Sequence, residues 1–466
     1  MENTMQDSVD RIAASLRSSQ MLRLFFVGFL VLLLQIPIVM IGSLVSERQS
    51  RREGAIVEVS SSWGKVQSIT GPALVVPYTH KWTEIPAGGK EVIHTDQRSA
   101  VFLPEKLQMR GTVDSKVRKR GIFSVPVYNL ALNVEGEFVR PSVAELGIDP
   151  AAVDWEKAHL AVGISDTRAI QEETAVTWNG NRVVFLPGTK DFREGGTGIH
   201  AVVGVPAAAQ RFTFAFPLAL NGSVGVHMVP FGQNTTVELS GNNGNPSFQG
   251  NWLPAERTVS ASSFQAKWTI PFLGRGYPQA WIAQPAPQLA ADARSPELQT
   301  EMQRAISASR FGVELVNPVD HYRMASRSVK YAALFILLTF ATVWLIEVLS
   351  GVRVHSIQYL MLGAALCVFY LLELSLSEHL GFPLAYMIAS AAVVALVGGY
   401  GQVVLQGSAR ALGVAGGVAL LYSYLYLLLM NEDYALLTGS IGLFVMLAAI
   451  MYVTRRVNWS TIGRRT

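Results

Sequence analysis

Apolar stretches long enough to cross a bilayer are spread unevenly along this chain, and their spacing limits its architecture more than any motif does. A helix needs roughly 20 apolar residues to span the hydrocarbon core. Residues 24–44 meet that length, as do 331–349, 357–376, 382–405, 411–430 and 434–453, whereas 45–328 contain no such stretch. The expected fold is a membrane α+β protein. Six transmembrane helices, one N-terminal and five C-terminal, would flank a large β-rich antiparallel domain. The predicted division is an N-terminal segment 1–23, a first helix 24–44, a domain 45–328, a five-helix bundle 329–453 and a tail 454–466.

The first stretch exceeds a secretory h-region and has no small-x-small cleavage site after it, so it reads as an uncleaved signal anchor. Pro37 within it removes a backbone donor and predicts a kink. Orientation follows from Lys and Arg in short loops. Arg11, Arg17 and Arg23 precede the first helix, Arg353 and Arg410 occupy two loops, and Arg455, Arg456, Arg464 and Arg465 fill the tail. The alternate short loops carry Glu378, Glu432 and Asp433 and no Lys or Arg. Both termini are therefore expected in the cytoplasm and the large domain in the periplasm. Arg48, Arg51, Arg52, Arg323, Arg327 and Lys330 flank that domain against the trend, but long translocated domains obey the charge rule poorly.

This arrangement accounts for a pI near 9.1, because much of the basic excess lies at membrane borders. A nucleic-acid partner is not expected, since no basic domain with interleaved aromatics is present. The single cysteine, Cys367, falls in a span, so the large domain must be stable without an internal disulfide.

Within 45–328, period-two alternation recurs, as expected for antiparallel sheet with one buried face. Tyr128, Leu130, Leu132, Val134 and Phe138 share one parity, as do Phe212 to Leu220 and Phe264 to Phe272. Asn221-Gly222 between alternating runs predicts a hairpin turn. Gly71-Pro72 is read as punctuation between segments. Ser142 with Glu145 resembles a capping box, and Ser295-Pro296 should open an amphipathic helix bearing Leu298, Met302 and Ala305 on one face. A β-sandwich or layered sheet follows.

Catalytic signals are weak. Ser62-x-x-Lys65 fits a nucleophile pattern without its partner motifs, and a strand or turn explains it better. His80, His94, His200 and His227 lack metal-ligand spacing, so no metal, cofactor or catalytic residue is assigned. Lys116, Arg118, Lys119 and Arg120 are expected in a solvated loop, with anionic headgroups as the sharper alternative. Ionisable and polar groups in or beside the spans are the stronger lead, because burying charge in lipid is costly. The intramembrane candidates are Glu347, His355, Gln358 and Ser375, with Glu373 placed near a span end from which it could reach the interface. Gly413 and Gly417 suggest close helix packing more than a dimer seam.

From Ser309 the chain reads SRFGVELVNPVDHY, RSVKYAALFILLTF, HSIQYLMLGAALCVFYLLELSLSEHLGFPLAYMIAS and NEDYALLTGSIGLFVMLAAIMYVTRRVNW, and earlier it carries SSWGKVQSITGPALVVPY, FPLALNGS, PSFQGNWLP and RGYPQAW. It resembles the CreD family of bacterial inner-membrane proteins over nearly its whole length. Family-like positions include Asp320, Tyr322, Arg327, Lys330, His355, Gln358, Ser375, Glu378, His379, Glu432 and Asp433, while Glu373 departs from the expected aliphatic residue. The resemblance implies a role in envelope integrity, envelope stress and the β-lactam response, and implies no catalytic residue.

The expected function is thus a non-enzymatic inner-membrane envelope protein. Its partners would be the lipid bilayer and an envelope component bound by the periplasmic domain. Arg327, Lys330, Glu378, His379, Glu432 and Asp433 are expected to meet at the junction of domain and membrane. The alternative is a transporter of a small solute, proton or lipid, which would need Glu347, Gln358 and Ser375 to converge on one cavity. A membrane enzyme is the least supported reading. The sequence leaves the oligomeric state open.

Overall fold

The computed structural model describes residues 20–85, 91–192, 196–283, 295–315, 320–350, 352, 354–431 and 434–455. Two compact units emerge, Met1–Arg52 with Val319–Thr466, and Glu53–Pro318.

The first unit is helical. Helix α1 (Gln20–Leu33) is followed after Leu34 by α2 (Gln35–Trp63), and the break is where Pro37 leaves the Leu33 carbonyl without its i+4 donor. After α3 (Ser295–Ala308), which belongs to the other unit, come α4 (His321–Ser350), α5 (Ser356–Leu380), α6 (Phe382–Val404), α7 (Ser408–Met430) and α8 (Ala435–Thr454). Among the described residues six helices are long and apolar enough to cross a membrane, with α1 and α2 forming one of them. Lipid tails are as apolar as these side chains, so close packing and not water exclusion holds the bundle. Phe369 sits at its centre, with ring centroids 4.2 Å from Tyr422 and 5.3 Å from Tyr386. Gly363 permits a close approach, since a Cβ there would lie 2.2 Å from Leu34 Cδ1. Gly413 and Gly417 face Ile346 and Thr342 of α4, which accounts for that pair within one chain. No residue of α8 is buried.

The second unit is built on two sheets that enclose one core. The nine-stranded sheet contains β1 (Gln67–Glu84), β2 (Val92–Phe102), β5 (His159–Ile164), β8 (Leu186–Pro187), β9 (Gly198–Val202), β11 (Gly225–Met228), β13 (Pro246–Gly250), β16 (Ala280–Ala283) and β17 (Phe311–Leu315). The eight-stranded sheet runs in the order β14 (Glu256–Val259), β15 (Phe264–Pro271), β12 (Asn234–Gly241), β3 (Lys106–Arg120), β4 (Phe123–Val139), β10 (Arg211–Ser223), β6 (Ala175–Trp178) and β7 (Asn181–Val184). The alternating residues face inward as their parity requires: Leu130, Leu132, Val134, Phe212, Phe214, Phe216 and Trp268 are all buried. Met302 and Ala305 of α3 pack on the same core.

Five expectations are corrected. The sheets are mixed, because β1 pairs with β11 and β12 with β3 in parallel. Asn221-Gly222 is no turn: β10 runs through it, with Asn221 opposite Asn129 and Gly222 opposite Tyr128. The glycine is needed for a tertiary reason. A Cβ at Gly222 would lie 2.2 Å from the Tyr128 ring, whose buried hydroxyl donates to the Gly225 carbonyl at 2.8 Å. Residues 116–120 form strand, not loop, with Arg118 over the Trp63 ring at 4.6 Å and Arg120 bonded to Glu58. Ser142 starts only a 3₁₀ turn and makes no side-chain cap. Gly71-Pro72 likewise lies within β1, where the pairing with β5 shifts register between Thr70 and Ala73.

One buried group makes this domain sensitive to acid. His159 is 2% exposed, its Nδ1 lies 3.4 Å from the Lys157 carbonyl, and among the described residues its Nε2 has no partner. Burial pushes its pKa down to about 4, and Lys190 and His200 act in the same direction. In the unfolded chain the ring titrates near 6.5, so the unfolded state takes up protons first. Stability is therefore full above pH 6.5 and is lost as pH falls from 6.5 toward 4, by at most about 3 kcal/mol. Denaturation of wild-type protein and His159→Gln at pH 7 and 4.5 checks this, and an equally steep loss in the variant would exclude His159 as the source.

Candidate functional site

Charged and hydroxyl side chains gather at one end of the helical unit. Arg48 and Arg52 lie one turn apart on α2, which puts them on one face. Arg48 grips Glu378 of α5 with two bonds, Nε to Oε1 at 2.7 Å and Nη2 to Oε2 at 2.5 Å. The Tyr322 hydroxyl of α4 also donates to Glu378 Oε1, at 2.8 Å. Arg52 Nη1 reaches Asp320 Oδ2 at 2.9 Å, while Asp320 Oδ1 accepts from the backbone N–H of Tyr322 and Arg323 and so caps α4. Two-pronged guanidinium–carboxylate contacts are the strong kind of ion pair. The Glu378 side chain is 6% exposed and that of Arg48 29%, so the carboxylate depends on this partner.

Further along the helices, Ser328 of α4 and Glu373 of α5 are bonded at 2.7 Å between Oγ and Oε2, both fully buried. Among the described residues the other oxygen, Oε1, meets no donor. Arg327 donates to the carbonyls of Leu428 and Leu429 at the end of α7, where the helix dipole favours a cation.

The remaining candidates divide between the two ends. Glu347 Oε2 accepts from the Tyr359 hydroxyl at 3.0 Å at the opposite end of the bundle. His355 and Gln358 form the capping box of α5, with Gln358 Oε1 accepting from His355 N at 2.8 Å. Ser375, Lys330 and His379 are exposed, and Glu432 and Asp433 lie outside the described residues. Gln358 and Ser375 are separated by about 25 Å of helix rise, so they share no cavity. The void beside Gln358 and Tyr359 measures about 20 Å³ and is walled by Val343, Leu362, Val397 and Val414, room for about one water.

The β-domain presents its own feature. The outward face of β3, β4, β12 and β15 holds an open groove of about 590 Å³, floored by Thr112, Ala131 and Ser240. Most of its charged wall residues are paired: Arg110 with Glu135 and Glu238, Lys267 with Glu238 and Glu256, at 3.4–3.9 Å. Ser62, by contrast, donates to the Glu58 carbonyl on an exposed helix end.

Residues 19–460 match the sequence profile of a family described as Inner membrane protein CreD. The chain belongs to the CreD family. It is 32% identical over 432 residues to Inner membrane protein CreD of Escherichia coli (strain K12), covering 92% of this chain and 91% of that relative. CreD proteins are inner-membrane proteins, and six apolar helices agree with a multi-pass member of that family.

Glu378, Asp320 and Tyr322 stand out in the sequence as family-like positions, but their partners do not: Arg48 and Arg52 read there only as charges against the orientation trend, and Glu373 only as a departure from an aliphatic run. The signal for Glu373 was available. Tyr370, Glu373, Leu374 and Ser377 share the buried stripe of α5, whereas Ser375 falls off it. Chemically, the network clamps α2, α4 and α5 together and leaves one carboxyl, Glu373, with spare capacity.

Proposed function

We propose that this protein is a non-enzymatic envelope-integrity protein whose β-domain faces the periplasm and binds an envelope component, within an envelope-stress and β-lactam response. The observation that carries the reading is the second unit itself. A domain with its own two-sheet core, inserted between spans of an inner-membrane protein, is far larger than anchoring requires. The distribution of Lys and Arg in the short loops supports its orientation. The polar groove over β3, β12 and β15 is the surface suited to a polar ligand, because its paired charges can exchange partners at little cost.

Replacing residues 53–318 by a flexible linker, with all spans kept, should abolish protection against envelope stress while the protein remains inserted. Full protection by the inserted spans alone would sink the reading. The transporter alternative gains no support from Glu347, Gln358 and Ser375, which lie at different ends of the bundle or on its exterior.

A further inference from the structure

Glu373 does not fit the clamp around Glu378. It lies within the bundle, 1% exposed, and among the described residues its carboxyl makes one hydrogen bond, 2.7 Å from Ser328 Oγ. Among the described residues no Lys, Arg or His pairs with it, and Oε1 has no donor. The titratable groups facing it are phenols: Tyr370 on its own helix, Tyr386 on α6 and Tyr422 on α7. The Tyr386 hydroxyl is already committed to the Tyr422 carbonyl at 2.7 Å. An ionised carboxylate with a single hydroxyl donor and no cation is the costliest thing to bury, and such groups take up a proton instead. The neutral acid satisfies the same geometry, with its O–H donating from Oε2 to Ser328 Oγ.

We propose that Glu373 is a proton-binding site of the bundle, occupied at neutral pH and exchanging with water from the Glu378 end only. The direction follows from spacing. Glu373 and Glu378 are five residues apart on α5, about 7.5 Å of rise, and Ser328 and Tyr322 are six apart on α4. Hydroxyl and carboxyl groups therefore continue from Glu373 to the Glu378 clamp. Toward Glu347, Tyr370 lies one turn away on α5 and the next such group beyond it is Tyr359, about 16 Å further along. The intervening buried side chains include Leu362, Leu366, Phe369, Ile336 and Phe340, and the Thr339 hydroxyl is bonded within its own helix. A proton can enter and leave this site, but no chain of groups carries it across. Uptake moves one proton from water onto the Glu373 carboxylate, and release returns it by the same route.

Infrared spectroscopy of the full-length protein in lipid nanodiscs tests this, with glutamate carbons isotopically labelled for assignment. At neutral pH the wild type should show the carbonyl stretch of a protonated carboxyl that disappears in Glu373→Gln. Transfer to D₂O should shift the band, and Tyr322→Phe should slow the shift. The amide of Glu373→Gln reproduces the neutral acid in size and bonding, so that variant should fold. Should it fail to fold, the labelled wild-type band and its deuterium shift remain the test. Absence of the band at neutral pH overturns the site. A band that never shifts overturns the exchange.

Discussion

Arg48→Ala is expected to destabilise the helical unit by about 3–5 kcal/mol, the cost of stranding a buried charge. The loss is large because of what stays behind. Glu378 keeps a side chain 6% exposed and, among the described residues, retains the Tyr322 hydroxyl in place of two guanidinium bonds. Removing the carboxylate as well should recover part of the loss. The double variant Arg48→Ala/Glu378→Gln is thus expected to be more stable than Arg48→Ala alone, with a coupling energy of roughly 1–3 kcal/mol. Tyr322→Phe removes one bond to a charged group and should cost only about 1.5–3 kcal/mol. Thermal unfolding of these proteins, the wild type and Glu378→Gln in one lipid or detergent checks the order and closes the cycle. A loss in the double variant equal to the sum of the two single losses would show that the pair is not coupled, and the clamp would then be no more than a surface contact.

The contrast between what could and could not be read from the chain follows from the range of each interaction. A span is a local property, so the apolar runs near 24–44 and after 331 were legible, down to the break that Pro37 causes. The β-rich character was legible wherever one face of a strand is buried, as along Phe212, Phe214 and Phe216. At residues 116–120 both faces of the strand are exposed, so no parity remains to mark it and the charges suggest a loop. Asn221-Gly222 failed for the opposite reason. Its local preference is real, but the strand continues because the Tyr128 ring occupies the space over Gly222. The clamp was the least legible part. Arg48 and Glu378 are 330 residues apart, and nothing local distinguishes Arg48 from Arg51, whose partner is merely Glu47 on its own helix. Arg327, expected near the acidic loops, is bonded to the carbonyls of Leu428 and Leu429 that end α7, 101–102 residues away in sequence.

Trp268→Ala should be the most damaging single change in the β-domain, at about 3–5 kcal/mol, the usual range for emptying a large aromatic site in a core. Trp268 sits on β15 of the eight-stranded sheet, 1% exposed, and its ring packs on Phe248 of β13 and Phe311 of β17 in the nine-stranded sheet, at centroid distances of 5.8 and 5.5 Å. Its Nε1 donates to the Trp252 carbonyl at 3.1 Å, so truncation also strands that acceptor. The same residue therefore joins the two sheets and fixes a connecting loop. Trp268→Phe keeps an aromatic ring but loses volume and the bond, and should fall between the wild type and Trp268→Ala. Lys267, its neighbour in sequence, points to the opposite face and belongs to exposed ion pairs, so Lys267→Ala should stay within about 0.5 kcal/mol. A domain of ordinary stability, about 5–15 kcal/mol, would lose a large share of it through Trp268→Ala alone. Chemical denaturation followed by near-UV circular dichroism checks the ranking. A cost below about 1 kcal/mol for Trp268→Ala would mean that the sheets do not depend on this contact, since even modest core truncations cost more. If the domain is the part that protects the envelope, Trp268→Ala should also make protection heat-sensitive while Lys267→Ala leaves it intact, because the first removes the fold and the second only alters a groove wall.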